Sequence, residues 1–141
     1  MERRDYLMRY FDQLGEVIAR LIGFRKRKDW EHAHEYIDEV SNDFLGIDIN
    51  ELRETDSPDL VDFLLKELNF TLDKLKILAE LLKEKGETYF QQRNSVDALI
   101  FLNHSLTLFN YIDKEEKTYS LERNQKMEFI NQRLAGIELM H

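Results

Sequence analysis

The sequence predicts an all-α protein that forms a single domain, residues 1–141, of five to seven helices. Three observations support this prediction. Apolar residues recur at intervals of three and four along most of the chain, as in amphipathic helices, and no segment alternates as a half-buried strand does. Only five Gly and one Pro occur among 141 residues, which leaves few tight turns. Residues that favour helix ends flank the periodic segments.

The first predicted hairpin covers residues 3–45. Its first helix has apolar side chains around roughly 220° of its circumference, more than one buried face requires. These side chains are Tyr6, Leu7, Tyr10, Phe11, Leu14, Val17, Ile18, Leu21 and Phe24. The second helix begins after Asp29, a favourable N-cap, and ends at Gly46. Residues 25–28 are all basic and are predicted to be a solvated connector, with a contact to phosphate or to an acidic partner as the alternative.

The rest of the chain divides into an insert, a second hairpin and a last helix. Residues 46–70 are predicted to be a less regular helical insert, in which Ser57 is the N-cap of a helix whose first residue is a proline. The second hairpin covers residues 71–112, with a second N-cap at Asn94. Residues 116–139 are predicted to form a helix that caps the exposed end of the stack. Its narrow apolar stripe consists of Met127, Ile130, Leu134 and Ile137.

Composition and charge exclude several classes of function. The net charge of −8 argues against DNA or RNA as the main partner. The absence of Cys removes disulfides, thiolate nucleophiles and cysteine metal sites. No apolar run approaches the roughly 18 residues that span a bilayer, and the first residues lack the apolar core of a signal peptide. We therefore expect a cytoplasmic protein with no membrane or nucleic-acid partner.

One spacing pattern stands out in the second hairpin. Gly86 and Tyr89 are followed at fixed distances by small and apolar residues in the order Ala98, Leu102, Ser105 and Leu108. Small side chains let two helix backbones approach closely, and a tyrosine fills the space beside them. This pattern resembles a tetratricopeptide repeat, whose signature positions are occupied by Gly86, Tyr89, Ala98 and Ser105.

A weaker match covers the first hairpin. Leu21 and Phe24 stand at the Gly and Tyr positions, and Ala33, Ile37 and Val40 follow at the same spacing. The first unit lacks the glycine, both units lack the closing proline, and residues 46–70 fit no repeat. The resemblance covers about half of the chain. The whole layout also resembles a bacterial family of short tetratricopeptide-like proteins of unknown function.

The resemblance implies a site and a function. In tetratricopeptide proteins the first helix of each repeat lines a concave groove that binds peptides. The implied partner-binding residues here are Ile18, Ile22, Arg25, Lys26, Lys83, Glu87, Phe90 and Gln91. The family's carboxylate clamp is not expected, because Glu87 stands where an asparagine is needed. Phe90 is the predicted anchor, with ordinary packing against a neighbouring helix as the alternative. The expected function is a non-catalytic interaction module that binds a peptide or a partner helix.

Two alternatives remain open. The first is a structural homodimer, formed by the wide apolar arc of the first helix and the apolar stripe of the last. The second, more remote, is an enzyme or small-ligand carrier that uses His32, His34 or His104.

Several metal-ligand spacings are weak signals. Glu31-x-x-His34 and Glu138-x-x-His141 have the spacing of di-iron ligands but stand at helix ends. His34-Glu35-x-x-Asp38 resembles a zinc-protease helix without its second histidine. We therefore predict no catalytic residue, no cofactor and no metal.

Overall fold

The chain folds into helices only. The structure, a computed structural model, describes the backbone of residues 2–139 and the side chains of residues 8–139. Within that range there are six α-helices, one short 3-10 helix and no strand, as the periodicity predicts. The α-helices are α1 (Glu2–Lys26), α2 (Trp30–Leu45), α3 (Ser57–Asp62), α4 (Leu72–Gln91), α5 (Ser95–Glu116) and α6 (Leu121–Leu139). The 3-10 helix is Ile49–Glu54, and a π-helical turn, Phe63–Glu67, extends α3.

The first hairpin ends where the sequence predicts. The Asp29 carboxylate accepts a hydrogen bond from the His32 backbone N–H and so caps α2. Gly46 ends α2 in the left-handed conformation, with φ of 68°. The two helices run antiparallel, because Tyr10 near the start of α1 stacks on Phe44 near the end of α2. Tyr6 and Leu7 of the predicted apolar arc lie outside the described side chains.

The start of α3 differs from the prediction. The helix begins at Ser57 itself, after Asp56, and the Ser57 hydroxyl does not cap it. The hydroxyl instead lies 2.7 Å from Nδ1 of His104 on α5. His104 Nε2 lies 2.8 Å from the backbone carbonyl of Leu52, which can only accept, so Nε2 carries the proton and Ser57 donates to Nδ1. This pair of bonds attaches both the 3-10 helix and α3 to α5.

The second hairpin packs as the spacing pattern predicts. A Cβ atom at Gly86 would lie 2.6 Å from Cγ of Leu102, so only glycine allows this approach of α4 to α5. Tyr89 stacks on Phe101, and the Ser105 hydroxyl donates to the backbone carbonyl of Ala79. The residues of the pattern therefore form the contact between the two helices.

The helices form two layers, and α4 lies between α1 and α6 in the first of them. Arg25 of α1 contacts Glu84 of α4, while Phe11 near the start of α1 lines the same cavity as Leu72 near the start of α4. α1 and α4 are therefore parallel, and the Lys126–Glu80 and Arg133–Glu87 ion pairs make α6 parallel to α4 in the same way. α2 and α5, each antiparallel to its hairpin partner, form the second layer. One apolar core includes residues of all six α-helices.

The apolar stripe of α6 packs inside the molecule. Ile130 and Ile137 are buried, and Met127 and Leu134 are half-buried against the core. On α1, Leu14, Val17 and Leu21 are buried as well. Five of the apolar residues that the homodimer alternative would use are thus buried in the chain's own core. Of the described helices, none is both long and apolar enough to cross a membrane.

Candidate functional site

A groove runs between α1 and α6, with α4 as its floor. Three glutamates of α4 lie along this floor, and all three are buried: Glu80, Glu84 and Glu87. Each is bound by a cation from a neighbouring parallel helix, since Lys126 and Arg133 of α6 bind Glu80 and Glu87, and Arg25 of α1 binds Glu84. We call this channel the central groove.

In the α1 half of the predicted site, Arg25 contacts the floor of the central groove. Ile18 is half-buried, and Ile22 and Lys26 are exposed. Arg25 is buried, with Nη1 at 3.0 Å from Oε1 of Glu84 and 3.3 Å from Oγ1 of Thr88. The prediction that the whole basic segment 25–28 is solvated is therefore wrong at Arg25, because buried acceptors on α4 bind its guanidinium.

The α4 half of the predicted site is largely covered by α6. Arg133 donates to both oxygens of Glu87, at 2.7 and 2.9 Å, and its guanidinium lies 4.7 Å from the centre of the Phe90 ring. The Lys83 ammonium lies 4.9 Å from the centre of the Phe129 ring, and Gln91 donates to Glu87. A partner that reached Glu87 and Phe90 would have to displace α6. The assignment of the eight residues as a partner site stays a prediction.

The central groove widens into a cavity at its other end. This cavity has a volume of about 740 Å³ and lies where α1, α4 and α6 begin and α5 ends. Its apolar lining consists of Phe11, Leu72, Phe109, Ile112 and Tyr119. Its charged lining consists of Lys76, Glu80, Glu116, Glu122, Arg123 and Lys126. None of the eight residues implied by the resemblance lines it.

Four carboxylates bind the three cations of the cavity: those of Glu80, Glu116 and Glu122 in its lining, and that of Asp113. Arg123 donates to Glu116 at 2.8 Å, to Asp113 at 3.0 Å and to the Thr118 carbonyl at 3.0 Å, so every nitrogen of its guanidinium is engaged. The second oxygen of Glu116 accepts from Lys76.

Lys126 completes the pairing between α4 and α6. It donates to Oε2 of Glu80 and, at 2.9 Å, to Oε1 of Glu122. The other oxygen of Glu80, Oε1, is buried and accepts no hydrogen bond among the described residues. Oε1 of Glu84 is likewise buried without a hydrogen bond, although Nη1 of Arg25 lies 3.0 Å from it.

The ion pairs favour the ionised forms of Glu116, Glu122 and Lys126. The hydrogen bond from Lys76 lowers the pKa of Glu116, and the hydrogen bond from Lys126 lowers the pKa of Glu122. Burial alone would lower the pKa of Lys126, but the charge and hydrogen bond of Glu80 outweigh it and raise that pKa. These three groups therefore contribute both negative and positive charge to the walls of the cavity.

The cavity was not predicted from the sequence. The repeat pattern directs attention to the residues of α4 that follow Lys83, whereas Leu72, Lys76 and Glu80 belong to the first half of the helix. The only local signal was the acidic and basic mixture at the start of α6, which resembles any solvated helix face. Its role depends on α6 lying beside α4, which no local pattern specifies.

The histidines have structural contacts. His34 packs on the Tyr89 ring, with ring centres 4.1 Å apart, and its Nε2 lies 2.9 Å from Oε1 of Gln92. The bonds of His104 to Ser57 and Leu52 also join helices. Over the described part of the chain, no three His, Asp or Glu residues are grouped so that they could hold a metal ion. His141, one of the spaced candidates, lies outside that part.

The chain matches no family model, no curated protein and no solved structure with which it was compared.

Proposed function

We propose that the chain is a non-catalytic, tetratricopeptide-like interaction module that binds a peptide segment or partner helix in the central groove, at its wide end. The observation on which this proposal rests is the cavity of about 740 Å³. Its volume lies within the range of roughly 300–1,000 Å³ that is usual for ligand-binding pockets, and its lining combines apolar and charged side chains. The cavity is open to solvent between parallel helices, which suits an extended segment or one side of a helix.

Two features support the tetratricopeptide-like part of the proposal. α1, α4 and α6 are parallel, and α2 and α5 return antiparallel in a second layer, as first and second helices of successive repeats do. The close approach of Gly86 to Leu102 occurs at a signature position of the repeat pattern. Residues 46–70, which fit no repeat, form the 3-10 helix and α3 between the two hairpins.

Site-specific photo-crosslinking in the source cell tests the proposal. A photoreactive phenylalanine analogue replaces Tyr119, which is 72% exposed and lines the cavity. The matched control replaces Val96, which is 69% exposed on α5 and does not line the cavity. A third variant replaces Ile22, an exposed α1 residue at which the sequence predicts binding. Adducts are identified by mass spectrometry.

We expect one peptide of a partner protein to be linked at position 119 and absent at position 96. If the same peptide were linked only at position 22, the chain would still be an interaction module, but its binding site would lie at the residues that the sequence predicts. Equal adducts at all three positions, or none, would overturn the proposal.

A further inference from the structure

We draw no further inference here: the strongest candidate, the apolar row along one face of α1 in which Met8 and Ile22 are exposed and Ile18 is half-buried, is an unpartnered helix face, and nothing in the described part of the structure shows what covers it.

Discussion

Gly86 is the residue at which the α4–α5 contact is most sensitive. Leu102 is buried, so its side chain has no free space into which it could move away from a new methyl group. We expect Gly86→Ala to lower the free energy of unfolding by about 1–3 kcal/mol through overpacking. Urea denaturation measures the change.

Gly15 provides the matched control within a helix. Nothing lies within 4 Å of the position that a Cβ atom would take there. Gly15→Ala should raise the free energy of unfolding by about 0.5–1 kcal/mol, because alanine has the higher helix propensity. Equal effects of the two substitutions would contradict the close-approach explanation for Gly86.

His104 makes stability depend on pH. Burial lowers its pKa below the ordinary value, despite the opposing hydrogen bond to Leu52. The unfolded chain therefore binds a proton at a higher pH than the folded chain does, and stability should fall as the pH drops below about 6.5. At about pH 8 we expect His104→Gln to be less stable than the natural chain by about 1–3 kcal/mol, since Ser57 and the Leu52 carbonyl lose their partner.

The difference in free energy of unfolding between the natural chain and His104→Gln should shrink as the pH falls. Urea denaturation across the pH range measures it. His32 gives a control of opposite sign, because its hydrogen bond to Asp29 raises its pKa. Its contribution is therefore present at acid pH and is lost as the pH rises. A His104→Gln chain that keeps the full loss of stability below about pH 6.5 would show that other groups cause it.

At the scale of the helices, ion pairs tie α4 to its neighbours. Arg25–Glu84 joins it to α1, Asp38–Lys85 to α2 and Arg133–Glu87 to α6. The side chains of Arg25 and Glu84 are only 7% and 3% exposed, so removal of either one leaves the charge of the other buried and without its partner. Such pairs specify which helix lies where, because an alternative neighbour would leave a buried charge unpaired.

We expect Arg25→Met to lower the free energy of unfolding by about 3 kcal/mol, since Glu84 keeps only the contact from Lys83. Adding Glu84→Leu should restore most of this loss. Lys66→Met serves as the control, because the Lys66–Asp62 pair is 74% and 73% exposed and should change stability by less than about 0.5 kcal/mol. A double variant no more stable than Arg25→Met would contradict an uncompensated charge as the cause.

Across the whole molecule, we expect the backbone amides of α4 to be the most protected from hydrogen exchange. This helix contacts α1, α2, α5 and α6, and most of its residues are buried. α6 buries only Ile130 and Ile137 among its apolar residues and otherwise depends on polar contacts. Amide hydrogen exchange followed by mass spectrometry should show the slowest exchange in α4 and faster exchange in α6. Exchange in α6 as slow as in α4 would contradict this order.

Much of the helical layout could be predicted from the sequence. Helices begin after Asp29 and Asn94 and end at the left-handed Gly46, as the sequence predicts. These positions could be predicted because capping depends on residues within one turn of each other. The spacing of Gly86 also indicated which faces of α4 and α5 meet. Ser57 was misassigned because its hydroxyl bonds to His104, a residue distant in the sequence.

Short-range periodicity, caps and small residues are enough to predict the helices, their order and the packed face of the second hairpin. Three features emerge only when the helices pack together: α6 covers Glu87 and Phe90, Arg25 is buried, and a cavity lies beside Glu80. Each of them depends on charges and surfaces that separate helices contribute. A row of charged residues along a helix gives the same sequence pattern whether it faces water or another helix.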